Sequence, residues 1–272
     1  MDISRAFGAP FRDPRWAAKA AWAGLWTVLL VTVPAVSGYH LDYIRNVAHG
    51  QDQPLPEWKG QLGRYWVRGF LLFLGIGIYV LPAVLIVLIG LIPVLGSLGV
   101  TPGSGSAASA VDALTTGSVL LTSLVALIYI VFISVFTHAA VVHYALSEDF
   151  AAIFQVREIA ERLRSGSGYF TAWLMAIVIS MGVGIVASAL GFVLGLIVVG
   201  VVVAPFAGAF IGFLGAMMSE HLYGQYAAKA YGLPGLQPLA AAPYAPPVPP
   251  TPPAPLAPAP PAPPTDGETP QP

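Results

Sequence analysis

Residues 170–218 read FTAWLMAIVISMGVGIVASALGFVLGLIVVGVVVAPFAGAFIGFLGAMM, and no charged residue occurs between Arg164 and Glu220. A helix that crosses a bilayer needs about 20 apolar residues. This stretch is too long for one crossing and long enough for two, joined by a tight turn near Val199–Pro205. Small residues recur in it at helical spacing: Ser180, Gly184 and Ser188; then Ala187, Gly191 and Gly195; then Ala204, Gly208, Gly212 and Ala216. Residues four apart share a helix face, so each series predicts a groove in which another backbone packs closely.

The rest of the chain reads the same way. Of its 272 residues 56% are hydrophobic and 9% charged, with mean hydropathy +0.75. Soluble domains carry about 25% charged residues, so the composition predicts an all-α, polytopic helical membrane bundle. Charge-free blocks at Ala20–Leu41, Gly69–Val111, Ala113–Ser147 and Ser165–Ser219 predict about five spans. The lipid bilayer is thus the first expected partner. A net charge of −1 gives no field that favours nucleic acid. With no cysteine, disulfides and thiolate chemistry are excluded.

Outside the spans the chain divides into a basic N-terminal tail (1–19), the helical membrane domain (20–232) and a tail (233–272) that holds most of the 26 prolines. Such a tail buries no core and is expected to be disordered, as a spacer or as a ligand for a proline-reading protein. Ala35-Val36-Ser37 resembles a signal-cleavage site, but the long apolar run before it, with Trp22 and Trp26, argues for a retained first span. Two amphipathic surface helices are expected. One is Pro56–Arg68, whose Trp58, Lys59, Arg64, Tyr65, Trp66 and Arg68 suit the headgroup region. The other is Glu148–Arg164, with Glu158 and Arg162 paired on its polar side. The first leads into a span through Gly63-Arg64-Tyr65-Trp66 and the second through Gly168-Tyr169-Phe170, an order that a worn duplication would explain. The loop 96–116, rich in Gly and Ser, is expected to be flexible.

Lys and Arg mark the cytoplasmic side. Five spans put Arg45, Lys59, Arg64, Arg68, Arg157, Arg162, Arg164 and Lys229 on one side, hence a cytoplasmic C-terminal tail in the cell membrane. They leave Arg5, Arg12, Arg15 and Lys19 opposite, whereas a re-entrant first block would gather all twelve.

Chemistry has few candidates. His138 and His143 lie in the third span, about 140° apart around the helix, which is poor geometry for one metal. No phosphate loop, His-Glu-x-x-His or Gly-x-Ser-x-Gly motif occurs. No cofactor and no enzymatic activity are expected. The expectation is scaffolding, membrane organisation or partner recruitment, with homo-oligomers through the small-residue faces. The alternative is a small transporter or permease-like subunit for an apolar or lipidic solute, suggested by Pro82 and Pro93 within a span. A membrane enzyme using His138 or His143 is a third reading.

Gly38-Tyr39 after the first apolar block, the run Leu55-Pro56-Glu57-Trp58, the span with Tyr79 and Pro82 and the helix near Phe150–Leu163 resemble the family called domain of unknown function 4013. The likeness covers about Ala17–Gly232. It implies a prokaryotic multi-span architecture without an assigned activity, and hence no catalytic residues to carry over.

Overall fold

The computed structural model describes residues 1–51, 54–97, 106–165 and 168–235. The proline-rich tail from residue 236 and the Gly/Ser stretch 98–105 lie outside the described residues. Among those described there are eight α-helices and no strand: α1 (Ile3–Gly8), α2 (Trp16–Val28), α3 (Val33–Ala48), α4 (Leu62–Ser97), α5 (Ser106–Ser147), α6 (Val156–Arg164), α7 (Tyr169–Gly195) and α8 (Val198–Tyr231). Of the expected flexible loop 96–116, residues 96–97 and 106–116 are helical, and the rest lies outside the described residues.

Helices α4, α5, α7 and α8 are long and apolar enough to cross a membrane, and α2 with α3 would make a fifth span if counted as one. The long helices form two antiparallel hairpins, α4–α5 and α7–α8. This places the starts of α4 and α7 and the ends of α5 and α8 at one end of the bundle. The turn between α7 and α8 falls at Leu196–Ile197, earlier than the expected Val199–Pro205, and Pro205 lies inside α8. Ile197 is extended, and a side chain at Gly200 would collide with the Leu194 carbonyl. Glycine therefore permits the tight reversal, while the proline, with neighbours on one side only, is absorbed as a local loss of one hydrogen bond.

The first apolar block is bent by 115° at Leu29–Thr32. Pro34 sits in the first turn of α3, where its missing N–H costs nothing. The α3 helix then runs back to the end that α2 left. At that end Arg45 pairs with Glu148 at the close of α5, and Asp2 N–H bonds Gln225 Oε1 near the end of α8 at 2.7 Å. The expectation of an N-terminus on the far side is therefore overturned. All twelve Lys and Arg sit at one end of the bundle, whereas Asp112 alone among charged described residues belongs to the other. Segment 1–19 is folded rather than loose: Ala6 and Asp13 are buried, and Ala6 joins the main core.

The expected surface helix Pro56–Arg68 is not one element. Residues 54–58 form no helix, and Leu62–Arg68 is the opening of α4. Pro54 and Pro56 supply no N–H for a helix. The second expected surface helix is present as a 3-10 turn (Phe150–Phe154) followed by α6, whose Ile159 faces the core.

Candidate functional site

The polar end is organised by α3, ten of whose residues are buried. It crosses α4 and α8 at glycines. A side chain at Gly38 would collide with the Tyr65 carbonyl, one at Gly69 with the Pro34 carbonyl, and one at Gly224 with Val47. At these three positions the helices pack too closely for any side chain. The spacing of small residues pointed elsewhere. Gly184, Gly191, Gly195, Gly208 and Gly212 have no atom within 4 Å of where a side chain would begin, and Ser180 and Ser188 are exposed. Ala216 is half-buried on α8. The α7–α8 contact is made instead by Gly215 against Val183. Helical spacing reveals a smooth face but not whether a neighbour covers it.

Beneath α3 runs the Leu55-Pro56-Glu57-Trp58 strap, held through its own backbone carbonyls. Tyr39 Oη donates to Pro56 O (3.0 Å), Tyr65 Oη to Glu57 O (2.9 Å), Lys19 Nζ to Leu55 O (3.0 Å) and Asn46 Nδ2 to Pro54 O (2.9 Å). The Trp58 ring stacks on Tyr39 with centroids 4.3 Å apart, and its Nε1–H reaches Lys19 O. A strap outside any helix leaves its carbonyls without helical partners, and buried carbonyls need donors; the two tyrosines, Lys19 and Asn46 provide them. Lys19 Nζ also lies 2.5 Å from buried Asp13 and 2.8 Å from Glu57. Burial pushes the Asp13 carboxyl up, but the Lys19 hydrogen bond, the Arg15 N–H and both nearby cations outweigh it and hold it below its ordinary value.

Of the six residues expected at the membrane interface, Lys59, Arg64 and Trp66 face outward wholly or in part. Tyr65 and Arg68 are buried, which corrects that expectation, and Trp58 is half-buried against Tyr39. Arg68 pairs with Asp42 of α3, and Arg64 reaches the same carboxylate at 3.2 Å. Glu148 lies within ion-pair reach of Arg45, Arg64 and Arg68. It does so with φ 59, a left-handed conformation unusual for glutamate. Buried charges persist when paired in this way. The Tyr65 environment has a counterpart at Tyr169, which opens α7, is equally buried and donates to Val135 O. Tyr65 thus captures a carbonyl of the strap and Tyr169 one of α5.

A second polar layer joins α3 to α8. His40 Nδ1–H donates to Glu220 Oε1, and Tyr43 Oη lies 3.4 Å from His221 Nδ1. His40 Nε2, Glu220 Oε2 and His221 Nε2 are buried without a partner among the described residues. In the fold Glu220 is half-buried beneath α3.

The two expected histidines take separate structural roles. His143 is buried; its Nε2–H donates to Gln155 Oε1 (2.8 Å) and its Nδ1 accepts from Tyr231 Oη (2.7 Å), tying α6 to the end of α8. Arg162 lies over the same Tyr231 ring. His138 is exposed, donates from Nδ1 to Ser134 O (2.8 Å) and stacks on Tyr223. Among the described residues no three His, Asp or Glu are grouped as a metal ion would require.

Against known families, residues 22–192 match the family described as protein of unknown function (DUF4013). No curated protein and no solved structure is matched.

Proposed function

The chain belongs to that family, DUF4013, and from this premise we propose that it is a non-enzymatic integral protein of the cell membrane acting in scaffolding, membrane organisation or partner recruitment. One observation carries the reading: the basic residues share one end of the bundle, and the buried charges there bond to helices and the strap instead of facing a cleft. By the positive-inside rule that end is cytoplasmic. Four crossings and a re-entrant α2–α3 pair then leave both Met1 and the C-terminal tail in the cytoplasm. The tail would recruit a protein that reads proline-rich segments. The outward Ser180–Gly184–Ser188 face would serve homo-oligomers. No cofactor is needed by this reading.

The α2–α3 tip supports it. Leu30 and Val31 are each 80% exposed, and Trp66 Nε1–H holds Val31 O at 2.9 Å. Trp66 lies only about 6 Å along α4 from Leu62 at 1.5 Å per residue, so the tip reaches into one leaflet. Reporters fused before Asp2 and after Pro272 test the arrangement. Both should report the cytoplasm; an external N-terminal signal would return the chain to five crossings. The second reading, a transporter or permease-like subunit for an apolar or lipidic solute, is favoured by Pro82 and Pro93 inside α4 and by a cleft that opens sideways between α5, α7 and α8.

A further inference from the structure

The amino-terminal segment has two faces. Ala6, Ala9, Pro10 and Asp13 are buried against the bundle, whereas Ile3, Phe7 and Phe11 are 38%, 47% and 45% exposed. The outward three are four residues apart, and Ala9 keeps helical backbone angles between α1 and the 3-10 turn Pro10–Arg12. They therefore form one row. The inner side is fastened. Gln225 of α8 accepts from Asp2 N–H (2.7 Å) and donates to Asp2 O (2.9 Å), and the Asp2 carboxylate caps α1 by accepting from Arg5 N–H (2.8 Å).

Both ends of the segment are pinned where an apolar helix begins. Met1 packs beside Gly168, the residue before α7. Phe11 meets Trp16, which opens α2, edge-on with centroids 4.9 Å apart. No Asp, Glu, Lys or Arg occurs from Tyr169 to Ser219 or from Ala20 to Leu41, and Phe170 and Trp22 near the two openings are exposed. The row thus lies where the apolar surface gives way to the charged end, and it extends that surface. Single exposed apolar residues need no explanation; three in a row between two lipid-facing helices do. Charge points the same way. Arg12 and Arg15 follow the row and are exposed. Arg15 meets Glu57 at the surface, and Arg12 makes no ion pair among the described residues. Asp13 turns inward to Lys19. Apolar side chains beside outward guanidinium groups suit a layer of phosphate headgroups.

We propose that residues 1–15 dock on anionic phospholipid in the leaflet that the charged end meets. Ile3, Phe7 and Phe11 sit at the acyl boundary, and Arg12 and Arg15 bind headgroup phosphates. The docking rests on the bilayer placement of the helices and not on the scaffold reading or on the number of crossings, so an external N-terminal reporter would leave it standing.

The chain has no cysteine, so a single introduced cysteine carries a spin label at one known place. The full chain is set in nanodiscs of phosphatidylcholine mixed with phosphatidylglycerol, as Phe7→Cys and as Phe11→Cys. Leu174→Cys, at an exposed apolar position of α7, and Arg157→Cys, at an exposed position of α6, serve as lipid and water references. Collisions are measured with oxygen, which concentrates in lipid, and with a nickel chelate, which stays in water. Labels at 7 and 11 should meet oxygen more than nickel and fall between the two references. Nickel contact equal to that of Arg157→Cys would put the row in water and overturn the proposal. Exclusion of both agents would mean that protein, such as a second copy, covers the row, and would overturn it too. The headgroup is tested with a fluorophore at Gly8→Cys, where a side chain meets open space, and with quencher-bearing phosphatidylglycerol or phosphatidylcholine of equal chain length. Phosphatidylglycerol should quench more strongly at low salt. Arg12→Gln should cut that preference about two- to fivefold, and high salt should remove most of it. Arg12 is exposed, so the variant should fold, as checked by circular dichroism and elution volume. Equal quenching by both lipids would overturn the assignment to anionic headgroups.

Discussion

Glycine serves two opposite purposes in this molecule. At the charged end Gly38, Gly69 and Gly224 let backbones meet where a single methyl group would collide. Towards the other end a side chain begun at Gly184, Gly191, Gly195, Gly208 or Gly212 would meet no atom within 4 Å, and of the glycines there Gly90 and Gly215 are contacts, against Thr122 and Val183. The first region is cross-linked by ion pairs, stacked rings and captured carbonyls. The second holds hairpins whose apolar residues face outward, as lipid-exposed helices do. The difference teaches that in a bilayer the absence of side chains on a helix is neutral until something covers it, whereas a buried charge commits its neighbours at once.

The comparison is broken most severely at Asp42. Asp42→Ala leaves buried Arg68 with only Glu148, 3.7 Å away, and should cost up to about 3–5 kcal/mol, read as a lower midpoint of unfolding in detergent. Next, Gly38→Leu should cost at least about 1–3 kcal/mol through overpacking against Tyr65, while Gly212→Leu should stay within about 0.5 kcal/mol. Equal losses at both positions would erase the distinction between the regions. Tyr39→Phe leaves the Pro56 carbonyl buried without its donor, about 1–3 kcal/mol at most, and should loosen the strap to proteolysis near Trp58 before the bundle melts.

The smallest effect is a pH dependence. The Asp13 carboxyl titrates lower folded than unfolded, so its contribution is fully present above the unfolded value of about 3.9 and is lost as pH falls through the folded value. Acid should therefore weaken the packing of the strap around Lys19 before it affects α4–α5 or α7–α8. Asp13→Asn should remove that pH dependence; the same acid response in the variant would assign it to another group.

Much of the fold was legible. Charge-free length located α4, α5, α7 and α8, because hydrocarbon tolerates no lone charge whatever the helices pack against. The helical period also found the polar side of α6, where Glu158 and Arg162 lie 3.6 Å apart, but not Ile159 as its buried residue. Gly38-Tyr39 and Leu55-Pro56-Glu57-Trp58 were conspicuous as a pattern. Their partnership was not, because Tyr39 and Pro56 meet only when α3 doubles back. Helical spacing of small residues reported a smooth surface but not whether another helix of the chain covers it. The split of the basic residues failed for a related reason: counting crossings assumes that each apolar block continues straight, and Pro34 prevents that.

The sequence by itself determined which solvent each part of this protein meets and roughly how many times it can cross, since transfer energies depend on composition and length. Only the tertiary structure decided that α2 and α3 turn back, that Asp42, Arg68, Glu148 and the strap share one end, and which glycines are contacts. Those facts depend on residues far apart in the chain meeting at a few ångströms, and no local period encodes such a meeting.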